Sequence, residues 1–199
     1  SYMKNFKLNE KDILSNQDWT FPTTTYYGPG RFNEIGKFCE EFDIKNPLIV
    51  TDSGSKDLPF IKKLIALLSK NNIKSDLFYN ISPNPRDDEI SKGCDQFKNG
   101  SHDSIIAIGG GSAMDGGKSI CLTVNSETPL WDFEFEQPVP KITKENAFPK
   151  IITIPTTAGT GAETEITAMV THLEKGMKFC IWHPDVRPIF TLVDPELTL

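Results

Sequence analysis

The chain has 199 residues, with 21 Lys or Arg and 27 Asp or Glu, so its formal net charge is −6. An acidic chain without a basic stripe is a poor candidate for binding nucleic acid or an anionic membrane. No apolar run approaches the roughly 20 residues that span a bilayer, and the polar residues 1–12 lack the apolar core of a signal peptide. Four scattered cysteines without a C-x-x-C pair indicate a reduced, cytoplasmic protein.

Short apolar runs alternate with amphipathic segments through the first part of the chain. The predicted strands lie at 21–27, 48–51, 77–79 and 105–108, and the predicted helices at 32–42, 58–68, 87–97 and 112–124. This alternation predicts an α/β protein with a Rossmann-like, doubly wound, mostly parallel sheet and helices on both faces. In such a sheet, ligands bind beyond the carboxyl ends of the strands.

The second part of the chain is less regular. Residues 129–149 hold Pro138, Pro140 and Pro149, and we expect them to form a loop excursion at the edge of the sheet. Further strands are predicted at 151–154, 165–171, 177–182 and 189–193. Because no linker-like stretch interrupts the chain, residues 1–199 are predicted to form a single domain.

The strongest local signal is the segment 105–119, IIAIGGGSAMDGGKS, in which a buried strand runs into three glycines and then a helix. Glycines let the main chain approach a ligand closely, and the first turn of a helix favours an anion. Ser112 can cap this helix and can also donate to a phosphate oxygen. The segment therefore predicts a phosphate site, and the alternative is a tight strand–helix turn without a ligand.

Two standard phosphate motifs nearly match this segment and both fail. The dinucleotide fingerprint G-x-G-x-x-G has Met114 in place of its third glycine. The P-loop motif G-x-x-x-x-G-K-[ST] has Ser112 in place of its first glycine, and Asp115 would add a carboxylate inside the phosphate cradle. A P-loop-like protein that binds nucleoside triphosphates therefore stays an alternative.

Two other strand ends carry polar residues. Asp52 follows the strand at 48–51, where a carboxylate can accept both hydroxyls of an adenosine ribose and repel a 2′-phosphate. The alternative is an ordinary turn aspartate before Ser53 and Gly54. After the strand at 151–154 comes PTTAGTGAE at 155–163, whose threonine hydroxyls and glycines suit a diphosphate or a ribose, although a flexible polar loop would look alike.

Taken together, these motifs resemble those of one family. They are Asp52, S-P-N-P at 82–85, GGGSAMD at 109–115, PTTAGTGAE at 155–163 and VDPELT at 193–198. In this order and spacing they are similar to the amino-terminal half of the iron-containing (group III) alcohol dehydrogenases. The resemblance implies a dehydroquinate synthase-like nucleotide domain and an oxidoreductase that acts on a small alcohol or aldehyde with NAD, and less readily with NADP.

The resemblance also implies roles for residues at the adenosine end and the middle of the coenzyme. Gly110, Gly111 and Ser112 would hold the diphosphate. Asp52 would hold the adenosine ribose, and Asn84 would lie near the adenine. NAD is favoured over NADP because Asp52 would face the ribose 2′ position.

At the other end of the coenzyme, Thr156, Thr157 and Thr160 would line the diphosphate and the nicotinamide. Lys178 matches the family lysine that reaches the nicotinamide ribose. Asp115 matches the family aspartate of the G-G-G-S-x-x-D run, close to the cofactor.

The family binds a divalent metal, iron or zinc, through one Asp and three His of a helical carboxy-terminal domain, and none of these ligands is matched in this chain. We therefore expect the 199 residues alone to bind dinucleotide weakly and to be inactive, and the intact protein to be a homo-oligomer. The alternatives are a non-catalytic nucleotide-binding fragment or oligomerisation module, and a related enzyme such as a dehydroquinate synthase or glycerol phosphate dehydrogenase.

Overall fold

The computed structural model describes residues 16–19, 23–158 and 166–198. The strands are β1 Gln17–Trp19, β2 Thr25–Tyr27, β3 Pro47–Asp52, β4 Asp76–Ile81, β5 Ser104–Gly109, β6 Lys150–Pro155, β7 Thr167–His172, β8 Met177–Trp182 and β9 Phe190–Val193. The α-helices are α1 Ile35–Glu41, α2 Pro59–Lys70, α3 Asp87–Asn99 and α4 Gly111–Thr123. Short 3-10 helices occupy Arg31–Glu34, Leu130–Phe133 and Pro195–Leu197.

Seven of these strands form the main sheet, in the order β1-β2-β9-β6-β5-β3-β4. All neighbouring pairs are parallel except β1 and β2. The sheet has helices on both faces, which confirms the predicted Rossmann-like α/β fold. The interior strand β5 is buried along its whole length, as its unbroken apolar sequence predicts.

Each face of the sheet carries its own hydrophobic core, because successive side chains of a strand point to opposite faces. Ile49, Ile106 and Ile152 pack on one face against α1 and α2. Leu48 and Ile105 pack on the other face against α3 and α4. Burying one such side chain contributes about 1.5–3 kcal/mol, so the alternation alone fixes the register of the central strands.

Strands β7 and β8 form an antiparallel hairpin that is separate from the main sheet. Its inner face presents Ala168, Val170 and Ile181, which are buried in the same core as α4. The predicted loop at 129–149 lies beside this hairpin and not at the edge of the main sheet. The Phe135 N–H, for example, donates to the carbonyl of Cys180 in β8 at 2.9 Å. The predicted location of the loop is therefore wrong, although its irregular character is confirmed.

Within the described residues, no helix combines the length and the apolar composition that crossing a membrane requires.

Candidate functional site

The strand order places a crevice at the carboxyl end of the sheet between β3 and β5. After β3 the chain crosses through α2 to β4 on one side, and after β5 it crosses through α4 to β6 on the other side. The two connections diverge at this point, which is where open α/β sheets leave room for a ligand. Asp52 ends β3 and Gly109 ends β5, so the structure brings these two predicted segments together.

The glycine segment is shaped by close contacts at its first residue. Gly109 has φ +142°, and a Cβ there would lie 2.6 Å from Oδ2 of Asp52 and 2.9 Å from Cβ of Ala113. By contrast, a Cβ on Gly111 would have no neighbour within 4 Å. Gly109 is thus required by the fold, whereas Gly111 borders open space at the start of α4.

Helix α4 begins without a side-chain cap. Its N-cap residue is Gly110, and no side chain of the described residues accepts a hydrogen bond from its first turn. The prediction that Ser112 caps the helix is wrong, because the glycines let the helix start one residue earlier, at Gly111. The first-turn N–H groups and the positive end of the helix dipole are left for an anion.

Asp52 lies beside this helix start and is half-buried. The Ser55 hydroxyl donates to its Oδ2 at 3.0 Å, and the Gly110 N–H approaches the same oxygen at 3.4 Å. The carboxylate is therefore oriented by the protein at one of its two oxygens.

On the other side of Gly110 lies the end of β6. The Thr156 N–H donates to the carbonyl of Gly109 at 2.9 Å, and the Thr156 side chain is buried. Thr157 is exposed, and a Cβ on Gly110 would lie 3.7 Å from its Cγ2. The structure thus brings Thr157 next to the glycines, as the sequence predicts, while Thr160 lies outside the described residues.

Asn84 lies in the turn between β4 and α3, and its side chain is exposed. The buried Glu89 carboxylate organises this turn by accepting from the Ser82 hydroxyl and from the Arg86 N–H, both at 2.9 Å. The Arg86 guanidinium hydrogen-bonds to Asp88 and lowers the pKa of that carboxyl from its ordinary value. Asn84 is therefore presented by a well-ordered turn at the same end of the sheet as Asp52.

The remaining predicted residues lie farther along the chain. Asp115 is half-buried and one helical turn beyond Gly111 in α4. Lys178 is exposed on β8, where it pairs with Thr171 on the outer face of the hairpin, away from the face that packs against α4. The structure therefore does not join Lys178 to the crevice residues.

The position of the Lys118 side chain argues against a P-loop at this helix. This side chain is 1% exposed and its Nζ donates to the Thr167 carbonyl at 3.0 Å. A P-loop lysine must reach the phosphates at the helix start, and Lys118 instead joins α4 to the hairpin, two turns away.

No three His, Cys, Asp or Glu side chains of the described residues converge to form a metal site. His183, for example, is 4% exposed, and its Nε2 lies within hydrogen-bond distance of the Pro140 carbonyl oxygen, at 3.0 Å. This histidine is therefore a buried structural residue. The described part of the chain therefore does not fit the metal that the family resemblance implies.

Sequence reasoning missed two residues that organise the site, Ser55 and Glu89. Each has a signal in the sequence. Ser55 follows Asp52 by three residues, and Glu89 stands three residues after Arg86 at the third position of α3, where capping-box acids are found. Neither spacing alone reveals which neighbouring side chain is being held.

Comparison with known proteins shows the family of this chain. The family profile described as iron-containing alcohol dehydrogenase matches residues 22–195. A choline dehydrogenase of Bacillus subtilis is 32% identical over 192 residues, which is 96% of this chain and 47% of that protein. An NADH-dependent butanol dehydrogenase A of Clostridium acetobutylicum is 32% identical over 91% of this chain and 45% of its own length.

Among solved structures, a sulfoacetaldehyde reductase from Bifidobacterium kashiwanohense in complex with NAD+ superposes with a TM-score of 0.80. It is 27% identical, and the match covers 94% of this chain and 47% of that one. The chain spans about half the length of the curated relatives it matches.

Proposed function

Since this chain belongs to the family of iron-containing alcohol dehydrogenases, we propose that it is the dinucleotide-binding half of an oxidoreductase that interconverts a small alcohol and its aldehyde. The proposed coenzyme is NAD. A single domain, a cytoplasmic location and a homo-oligomeric intact protein stay predictions from the sequence.

One observation carries the proposal, which is the order of the candidate residues across the sheet. Asn84 follows β4, Asp52 ends β3, Gly110 follows β5 and Thr157 follows β6, and these four strands are consecutive neighbours. Adenine, ribose and diphosphate follow one another along NAD in the order of Asn84, Asp52 and Gly110, and Thr157 stands where the diphosphate leads on to the nicotinamide. An extended dinucleotide that lies across the four strand ends would therefore place each of its parts next to the residue proposed to bind that part.

The side chains and main-chain groups at these positions have the chemistry that each part needs. The Asp52 carboxylate accepts hydrogen bonds from ribose hydroxyls. Gly111 and Ser112 offer N–H groups and the helix dipole to the diphosphate, and Gly110, whose N–H approaches Asp52, leaves room for the diphosphate because it has no side chain. The exposed Thr157 hydroxyl can donate to the diphosphate from the opposite side.

Toward the nicotinamide, we propose that Thr160 and the ammonium group of Lys178 complete the site, with Thr156 supporting the main chain and Asp115 lying behind the helix start. When bound, NAD supplies the carbon that accepts a hydride from the alcohol. The residues of this chain hold and orient the coenzyme, and we derive no step through a metal because the described residues do not fit one.

Discrimination between coenzymes depends on Asp52. A 2′-phosphate would bring a second negative charge against a carboxylate that the protein already orients, and the like charges would repel each other. We therefore propose that NAD is preferred over NADP.

The experiment that tests this function is a fluorescence titration of the purified chain with NADH, with ATP and Mg²⁺ as the comparison ligand. The proposal expects saturable binding of NADH that is displaced by NAD, with little response to ATP. Binding of ATP without binding of NADH would contradict the proposal and favour a triphosphate-binding protein instead.

A further inference from the structure

We propose that Ser55 is a specificity-determining positioning residue, which fixes the Asp52 carboxylate so that its second oxygen faces the adenosine ribose. The inference rests on the proposed function, since it concerns the same dinucleotide site. It assigns a role to a side chain that lies beneath the site and not in it.

The evidence begins with the unequal surroundings of the two carboxylate oxygens. Oδ2 of Asp52 accepts from the Ser55 hydroxyl at 3.0 Å and from the Gly110 N–H at 3.4 Å. It also faces Gly109, where a Cβ would approach to 2.6 Å. Oδ2 is thus turned into the protein, against the glycine segment.

Oδ1 of Asp52 has the opposite character. No hydrogen bond within the described parts of the chain reaches it. A Cβ on Gly54 would lie 3.3 Å from Oδ1, which is closer than an ordinary van der Waals contact. The absence of a side chain at Gly54 therefore keeps this oxygen accessible. Oδ1 is therefore the oxygen that can accept a ribose hydroxyl.

Ser55 is well placed to hold this orientation because it is itself held. It is 8% exposed, its N–H donates to the Asp52 carbonyl at 3.0 Å, and its carbonyl accepts from the Leu58 N–H at 3.0 Å. The turn that follows β3 thus fixes the main chain of Ser55, and from there its hydroxyl reaches the Asp52 carboxylate before any ligand arrives. Pre-organisation of this kind reduces the entropy lost on binding.

Loss of the hydroxyl should affect the two coenzymes differently. Without it, Oδ2 retains only the long contact to Gly110, and the carboxylate can rotate away from the geometry that a ribose diol needs. The affinity for NADH then falls, because directional hydrogen bonds are lost. Repulsion of a 2′-phosphate depends mainly on the charge, which is unchanged, so the affinity for NADPH falls less.

The test measures the dissociation constants of NADH and NADPH by fluorescence titration of the purified protein and compares their ratio between variants. Ser55→Ala is expected to reduce the preference for NADH over NADPH roughly threefold to tenfold, the worth of one net hydrogen bond. Ser55→Thr, which keeps a hydroxyl, should restore the preference. Ser53→Ala is the matched control, since Ser53 is exposed in the same turn.

A double-mutant cycle separates orientation of Asp52 from general damage to the turn. In the Asp52→Gly background, Ser55→Ala should leave the coenzyme ratio unchanged. Thermal unfolding of each variant accompanies the titrations, and Ser55→Cys, which is close in size and a weaker donor, gives the same readout if Ser55→Ala does not fold.

The outcomes distinguish the two proposals. A wild-type protein that binds neither coenzyme overturns the proposed function and this inference with it. A wild-type protein that prefers NADH, combined with a Ser55→Ala variant of the same ratio or one in which both affinities fall equally, overturns only the role of Ser55.

Discussion

Two aspartates stand where parallel strands end at the same edge of the sheet, and their surroundings differ sharply. Asp194, directly after β9, is 2% exposed. Its Oδ1 accepts from the N–H groups of Gly30 at 3.1 Å and Glu196 at 2.9 Å, and its Oδ2 accepts from the Phe32 N–H at 3.0 Å. This carboxylate accepts from N–H groups in the first turns of two short 3-10 helices, at 31–34 and 195–197.

Asp52, the last residue of β3, instead receives one short hydrogen bond and one long one at a single oxygen. The helix start beside it, at Gly111, has no side-chain cap within the described residues. Position at a strand end therefore does not reveal the role of an aspartate. A carboxylate whose acceptors are filled by main-chain donors stabilises the fold, and one with an open oxygen next to uncapped N–H groups is available to a ligand.

The largest effect is expected from the structural aspartate. Asp194→Ala leaves three N–H groups without their acceptor, that of Phe32 in a buried place and those of Gly30 and Glu196 in partly buried places. We therefore expect the free energy of unfolding to fall by about 3–5 kcal/mol. Urea unfolding followed by circular dichroism measures this change. A loss under about 1 kcal/mol would erase the contrast between the two aspartates.

Gly109→Ala tests whether the open aspartate needs the space that the glycine provides. The added Cβ would press against Oδ2 of Asp52 at 2.6 Å in a backbone conformation that alanine disfavours, so we expect a loss of about 2–3 kcal/mol and weaker binding of NADH. Gly176→Ala is the matched control.

Gly176 also has a positive φ, of +63°, but a Cβ there has no neighbour within 4 Å. Its substitution should cost only about 1 kcal/mol, the backbone strain alone. Equal losses for the two variants would mean that crowding at Asp52 contributes nothing.

Of these variants, Asp52→Gly is expected to change the free energy of unfolding least. Because Asp52 makes few hydrogen bonds of its own, the free energy of unfolding should change by less than about 1 kcal/mol. The preference for NADH over NADPH should fall about tenfold, which corresponds to about 1.4 kcal/mol. Fluorescence titrations with both coenzymes check this, and unchanged discrimination would remove Asp52 from the proposed site.

Much of the fold could be predicted because its signals are local. The sequence predicts a helix at 58–68, and α2 spans Pro59–Lys70; it predicts a strand at 105–108, and β5 spans Ser104–Gly109. Apolar periodicity sets such elements directly. The separation of the β7–β8 hairpin from the main sheet could not be predicted in this way, because it depends on how Val170 and Ile181 pack against a helix distant in sequence.

The site was predictable as a set of residue types and less so as a geometry. The spacing pointed to Asp52, Gly110 and Thr157, which the structure brings to neighbouring strand ends. The sequence carried no information on which oxygen of Asp52 faces the protein, since that depends on the Ser55 rotamer. It also misplaced the cap of α4, because a run of glycines leaves the first helical residue undetermined.

The strand order has a final consequence, for the coupling between binding and folding. Asn84, Asp52, Gly110 and Thr157 come from the ends of four strands that adjoin only after three crossover connections have formed. A nascent or partly unravelled chain that lacks β6 has no complete docking edge, so the coenzyme would select the fully assembled sheet. Each tenfold rise of its concentration above the dissociation constant would then add about 1.4 kcal/mol of protection against global opening.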